Sequence, residues 1–421
     1  MRARIGARTA LVGITAAALA ATAFTASARA QQGDRTPQRP EVQRAMDAIV
    51  ASGIPGVTAQ VREGNRVWKG TSGVGDRRTG KPRGTNDKFR IASITKTFVA
   101  TVMLQLEAEG RLGLGDTVEK HLPGLVRGNG HDGRKITVRQ LLEHTSGVYD
   151  FLNDTEYRNK YMAAGGFLKH RYDYRSPQVA VATAMKHPPG FEPGTDYAYS
   201  NTNYVLAALI MEKVTGSTYE REVRERVIEP LGLRATTAPG NRSRMELPSS
   251  RAYSKLSFDP AATRIHDVTH QNASQSWAEG DMISDSRDLN RFYRALLGGK
   301  LLPAAQLKKM KTISPASDDA GSGYGLGLER NVLTCGKTKK TIFGHGGGWI
   351  GSTSYSATSE DGSRSFTFNL NGDWSDGGLA ELLTAGFCDG AEARAGASAA
   401  EPDTGPRGRT AAREAAAGSG R

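Results

Sequence analysis

Apolar residues recur every three to four positions from Glu41 to Ser52, with Val42, Met46, Ile49 and Val50 on one face, and this spacing predicts a helix. Val57 to Val61 then alternate, Glu63-Gly64-Asn65 has the make-up of a turn, and Arg66 to Thr71 return, which predicts a hairpin. Gly73 to Asn86 is rich in turn formers, which predicts a loop. Thr95 to Gly110 predicts a strong helix carrying Phe98, Val99, Val102, Met103 and Leu106, with Gly110 as its stop. Through 111–255 the periodicity stays helical, most clearly at Val138–Glu143, Asn203–Val214 and Glu220–Ile228. From about Arg264 the character changes. A helix at Asp288–Leu297 precedes strands at Tyr324–Glu329, Thr341–Gly344, Ser352–Thr358 and Ser365–Leu370, and Leu379–Phe387 predicts a final helix.

Strands from both chain ends around a helical middle predict an α/β fold, an antiparallel sheet flanked by helices with an inserted all-helical domain. The expected divisions are a leader over 1–30, the first α/β part over 31–105, a helical domain over 106–260, the second α/β part over 261–390 and a disordered tail over 391–421. A cleft between two such regions is where an active site is expected.

The leader has the pattern of a cleaved signal peptide: Arg2, Arg4 and Arg8, then a small apolar stretch, then Ala28-Arg29-Ala30. No later segment approaches the ~20 apolar residues of a membrane span. A secreted protein is therefore expected. The net charge of +13 is spread out. Residues 1–30 hold four Arg and no acid, and 391–421 hold five Arg and four acids, which leaves +8 for 31–390. Those basic residues are not clustered with aromatics, which argues against nucleic-acid binding. A mild attraction to anionic cell-wall polymers such as peptidoglycan is consistent with the charge. Cys335 and Cys388 are the two cysteines, and in an exported chain a disulfide is favoured over a metal site or two free thiols.

Three short motifs carry chemistry. In Ser93-Ile94-Thr95-Lys96, positions i and i+3 share a helical face, so the Lys96 amine reaches the Ser93 hydroxyl. A hydroxyl is a weak nucleophile until a neighbour takes its proton. In Tyr199-Ser200-Asn201, a phenol suits proton relay and an amide suits holding a substrate. His345-Gly346-Gly347-Gly348, expected just after a short strand, offers a bare backbone edge against which substrate can lie and an N–H for an oxyanion hole.

The order S-x-x-K, Y-x-N, H-x-G resembles that of the penicillin-recognising serine hydrolases. Within them it is most similar to exported D-alanyl-D-alanine carboxypeptidases, then to class C β-lactamases and related esterases. Leu141-Leu142-Glu143-His144-Thr145-Ser146-Gly147, Ser276-Trp277-Ala278 and Tyr324-Gly325-Leu326-Gly327-Leu328 add to the likeness, which spans roughly 40–390. The resemblance implies a β-lactamase-like fold and an acyl-enzyme on Ser93, with Lys96 and Tyr199 moving protons. It implies Asn201, Trp277, His345, Gly346 and Gly348 about the substrate, the N–H groups of Ser93 and Gly348 as oxyanion donors, and a Cys335–Cys388 disulfide. Expected substrates are peptides, β-lactams or esters, with no cofactor. A β-lactamase, an esterase or a non-hydrolytic penicillin-binding protein are the alternatives.

Two positions depart from the carboxypeptidase pattern. Those enzymes carry an Arg just after the Tyr-Gly-Leu-Gly-Leu run and a Thr shortly after H-x-G, both holding the substrate's terminal carboxylate. Here Glu329 and Gly348 stand there, which opens the substrate to esters, amides and other D-peptides. Gly75 to Lys81 fits a phosphate-loop pattern, but Pro82 follows where Ser or Thr is needed. The eight His show no metal-binding spacing.

Overall fold

The computed structural model describes residues 38–259, 261–374 and 377–389, so the expected leader and tail lie outside the described residues. Eight antiparallel strands form the main sheet. In chain order they are β1 (Gly56–Glu63), β2 (Arg66–Asp76), β3 (Lys81–Pro82), β4 (Gly323–Tyr324), β5 (Glu329–Cys335), β6 (Thr338–Trp349), β7 (Ser352–Ser359) and β8 (Arg364–Leu370). Their spatial order is β4-β5-β6-β7-β8-β1-β2-β3, so the N-terminal hairpin joins the C-terminal meander where β1 pairs with β8. The register sets Val57 opposite Leu370 and Val61 opposite Phe366.

One face of the sheet is covered by helices α1 (Pro40–Ala51) and α5 (Leu379–Phe387). Val42, Met46 and Ile49 of α1 pack there with Ile342, Phe366, Phe368, Leu382 and Phe387. The opposite face meets α4 (Ser286–Leu297), α2 (Thr95–Ala108) and the helices that follow, including α3 (Asn201–Thr215). Both α2 and α3 are buried on almost every side. A helix buried all round loses the single apolar stripe of a surface helix, and α2 forms the centre of the larger core, its Phe98 stacked on Phe292 at 3.7 Å between centroids. Chain reversal after α2 comes as expected: Gly110 takes φ +71°, and the Arg111 N–H donates to the Leu106 carbonyl.

Three expectations about strands are corrected. The loop expected over Gly73–Asn86 holds the end of β2, as far as Asp76, and β3, because Val74 pairs with Pro82 and Asp76 with Lys81 across the turn. Tyr324–Glu329 is not one strand. Gly327 sits at φ +68°, the chain reverses over 325–328, and only the ends, β4 and β5, join the sheet. A Cβ on Gly327 would collide with α2 at Ala100 and Lys96, so glycine lets this reversal dock on the helix that carries the lysine. Nor does a strand end at Gly344. The strand β6 runs on through His345-Gly346-Gly347-Gly348 to Trp349, paired throughout with β7. Its pairing with β5 stops at Gly344 opposite Glu329, so along 345–348 β6 has no β5 partner. The helical stretch expected to 228 is an α-helix over Tyr219–Val223 that widens into a π turn over Arg224–Ile228.

Candidate active site

The segment before α2 is held between two layers. Phe89–Arg90 pairs with Ile283–Ser284, and Ala92 takes φ +47°, a left-handed conformation that a non-glycine residue adopts at a cost. Ser93 follows in a tight turn over Ala92–Ile94 that leads into α2. The turn is stapled to the sheet from beneath, since the Ser352 hydroxyl donates to the Arg90 carbonyl (2.7 Å) and the Ser354 hydroxyl to that of Ile91 (3.3 Å). A Cβ on Gly347 would overlap the Ile91 carbonyl oxygen. That glycine therefore serves the close approach of the nucleophile's turn to β6.

Lys96 is fully buried one turn along α2. Its Nζ donates to Ser93 Oγ (3.0 Å), to Asn201 Oδ1 (2.8 Å) and to the Glu279 backbone carbonyl (2.7 Å). Asn201 opens α3, and its Nδ2 donates to Asp150 Oδ2 at 2.9 Å, which fixes the amide's orientation. The Tyr199 ring lies 4.9 Å from Lys96 Nζ. Beneath it packs His144, 4.2 Å between centroids, whose Nδ1 accepts from the Ser200 N–H (3.2 Å). The Gly194 N–H donates to the Thr145 carbonyl, and Ser146 Oγ donates to Asn203 Oδ1. The Leu-Leu-Glu-His-Thr-Ser-Gly stretch is thus the cradle that sets the tyrosine segment beside the lysine.

His345 points from β6 to the same side as Phe343 and Trp349, and its ring lies 6.4 Å from that of Tyr199. It is buried; Nε2 meets the Tyr324 hydroxyl at 2.8 Å and Nδ1 meets the Gly346 carbonyl at 2.6 Å. Burial drives its pKa down to about 3, so it is neutral at ordinary pH. Glu329 Oε1 accepts from the Gly346 N–H (3.2 Å) and lies 3.5 Å from His345 Nδ1. Arg330 is turned elsewhere, its Nε donating to the Gly321 carbonyl (2.6 Å) and its Nη2 3.6 Å from Asp318. Gly348 is on β6, opposite Thr353 of β7.

The structure thus brings Ser93, Lys96, Tyr199, Asn201 and His345 to one place. Trp277 takes part from behind. Its indole N–H donates to Glu220 (2.9 Å), and it anchors the turn that delivers Glu279. Sequence reasoning missed two buried acids here. Glu279 Oε2 is 3.5 Å from Lys96 Nζ, and burial lifts its carboxyl to about 7. Asp150 is lifted to about 6 by the same cause. Neither lies in a motif; an acid amid an apolar, glycine-flanked run, as in Trp277-Ala278-Glu279-Gly280, was the one signal. Cys335 and Cys388 form a disulfide with Cα atoms 5.4 Å apart. Among the described residues there is no cluster of three metal-ligating side chains, and no helix is long and apolar enough to cross a membrane.

An amine bonded to a hydroxyl, with a phenol at hand, is an apparatus for activating serine toward a carbonyl. The beta-lactamase family profile matches residues 42–376. The chain is 51% identical to the D-stereospecific amidohydrolase from a Streptomyces species, covering 84% of this chain and 100% of that one at a TM-score of 0.79. It is 27% identical to the D-amino acid amidase from Ochrobactrum anthropi SV3 in its D-phenylalanine complex, covering 82% and 96% at a TM-score of 0.69. Penicillin-binding protein 4* of Bacillus subtilis is 28% identical over 306 residues, 70% of this chain and 63% of that relative. The chain spans 61–63% of the length of this and two other curated penicillin-binding relatives that it matches. On the match over most of its length, together with the fold and the converging motifs, the chain belongs to the beta-lactamase family of penicillin-recognising serine hydrolases.

Proposed function

We propose that the protein is an exported serine hydrolase that cleaves amides of D-amino acids, in preference to removing a C-terminal D-alanine. The observation that carries the preference is Glu329. It occupies the start of β5, beside Gly346 and His345, where the resemblance to the carboxypeptidases places a carboxylate-binding Arg. A carboxylate there repels a substrate's free carboxylate and tolerates a neutral carboxamide. Arg330 is committed to Gly321 and Asp318 and does not take over. The 51% identity to a D-stereospecific amidohydrolase supports the same preference.

In the proposed reaction Ser93 Oγ attacks the amide carbon while its proton passes to Lys96. The N–H groups of Ser93 and Gly348 hold the oxyanion, and His345, neutral and hydrogen-bonded to Tyr324, borders the site opposite Tyr199. Tyr199 gives its proton to the departing nitrogen, which leaves as ammonia or an amine, and takes the Ser93 proton from Lys96 in return. Water then resolves the ester on Ser93. The disulfide supports export, since such bonds persist in oxidising compartments.

The test is a side-by-side measurement of kcat/KM on D-phenylalanine amide, L-phenylalanine amide, a peptide ending in free D-Ala-D-Ala, the same peptide amidated, and a penicillin. The D-amide and the amidated peptide should be the better substrates. Preference for the free carboxylate would make the protein a carboxypeptidase, and penicillin turnover a β-lactamase. A stable penicillin adduct without turnover of any acyl donor would make it a binding protein.

A further inference from the structure

Lys96 Nζ donates to an amide oxygen on Asn201, to the backbone carbonyl of Glu279 and to the Ser93 hydroxyl. The first two are acceptors only. To act as a base Lys96 must be a neutral amine, with two N–H bonds and one lone pair: it keeps both hydrogens on those acceptors and turns the lone pair to Ser93, reversing the direction of the bond the two now make. An ammonium gives three hydrogens and has nothing with which to accept a proton. For Lys96 to accept the Ser93 proton, an ammonium there must first lose one of its own, and the lysine is fully buried.

Glu279 is placed to take it. Its Oε2 is 3.5 Å from Nζ, and its Oε1 is buried with no hydrogen-bond partner among the described residues. The placement is built. The Glu279 N–H donates to the Trp277 carbonyl across a tight turn at Ala278, which stands at φ +58°, and Trp277 is pinned by Glu220. Arg175 adds a second buried charge. Its guanidinium lies between the rings of Phe151 and Tyr157 at 4.7 and 5.0 Å, and its Nε and Nη2 also have no hydrogen-bond partner among the described residues.

We propose that Glu279 is a positioning residue that stores the proton Lys96 must release, acting through Lys96 and not on the substrate. One N–H bond of the ammonium breaks and an O–H bond forms on Glu279. The lone pair left on Nζ then accepts the Ser93 proton as Oγ bonds to the acyl carbon. Burial lifting Glu279 to about 7 is consistent with a group that holds or gives up a proton under working conditions. The ionisable groups acting on it are Lys96, Arg175 and Asp150, together with Tyr157, Tyr219 and Asp281. Both tyrosines are raised by burial and remain neutral, and Tyr219 is hydrogen-bonded to Asp281.

The inference rests on Ser93 and Lys96 acting as proposed above, and does not depend on the substrate class. The experiment measures the acylation rate of Ser93 by a serine-reactive fluorophosphonate, read by mass spectrometry across pH, for wild type, Glu279→Gln, Glu279→Asp and Arg175→Met, with melting temperatures alongside. Wild type should level off above an inflection near 7, where the Glu279 carboxyl loses its one proton and becomes free to take the proton that Lys96 releases. Glu279→Gln should lose that inflection, react about tenfold or more slowly at pH 8, and speed up in proportion to hydroxide. Glu279→Asp should keep the inflection. Arg175→Met should move it to higher pH, because the removed cation favours the ionised carboxylate. A folded Glu279→Gln with the wild-type inflection and rate would overturn the proposal, as would an unmoved inflection in Arg175→Met. No label on Ser93 in wild type would overturn it together with the hydrolase mechanism, and so is distinct from its failure alone.

Discussion

Gly347 faces the carbonyl of Ile91 so closely that a side chain on the strand would overlap the turn carrying the nucleophile. The contact joins the third motif to the first through backbone alone, with Ser352 and Ser354 adding hydroxyl bonds on either side. Gly347→Ala should push the turn off the sheet. Overpacking of this kind costs about 1–3 kcal/mol, to be read from chemical denaturation, and turnover should fall because Ser93 moves relative to Lys96.

Tyr199 and Lys96 should be separable by kinetics. Tyr199→Phe keeps the ring against His144 and removes the hydroxyl, so amide turnover should drop by about 10²–10⁴, the range for a lost proton-transfer group. An activated ester, whose leaving group needs no proton, should suffer less. Lys96→Met should impair both substrates alike, since Ser93 loses its base before any leaving group matters. Comparing kcat/KM for an amide and a p-nitrophenyl ester checks the pattern.

His345 gives a stability that depends on pH with a definite sign. Burial holds its pKa in the fold at about 3, against 6.5 as the ordinary value, so the unfolded chain binds the extra proton first on acidification. Its contribution is complete above about 6.5 and is lost as pH falls from there toward 3. Asp150 and Glu279, raised to about 6 and about 7, act in the opposite sense, since the folded state binds their protons first. Urea unfolding at pH 7 and pH 5 should therefore show a change in stability on acidification that is more favourable in His345→Gln than in wild type.

The disulfide should be dispensable for chemistry. Cys335 ends β5 at the far side from Glu329, about 20 Å away at roughly 3.3 Å per residue. Replacing Cys335 and Cys388 together by alanine should lower stability by about 2–4 kcal/mol, read as an earlier thermal transition, while kcat/KM at a temperature where both proteins are folded stays unchanged. Sequencing the N-terminus of protein recovered from culture medium should find Gln31 first if export proceeds through cleavage after Ala30.

Much of the fold was legible because its signals are local. The helix α1, strands β1, β7 and β8 and helix α5 each carry their own periodicity and turn residues, and the structure ends them within a few residues of where the pattern does, whereas β2 runs past Thr71 to Asp76. What misled was tertiary. Alternation suggested a strand over Tyr324–Glu329, but Gly325 and Gly327 are there so that a reversal can fit against Met310 and α2, a constraint no local pattern expresses. The sequence pattern leaves the His345–Gly348 run outside the strand because glycines carry no strand signal, although the ladder with β7 holds it extended. In the site, the Ser93, Lys96 and Tyr199 set was readable from spacing and resemblance. Glu279 and Asp150 were not, because one is buried beside the Lys96 amine and the other against the Asn201 amide, each far away in sequence.

Every step of the proposed chemistry passes through an acyl bond on Ser93. The most direct measurement is tandem mass spectrometry of the protein quenched during turnover of a D-phenylalanine ester, with Ser93→Ala treated in parallel. The predicted result is a phenylalanyl mass on the peptide containing Ser93, absent from Ser93→Ala, which should also lack turnover. Acyl mass on another residue, or hydrolysis that survives in Ser93→Ala, would contradict it.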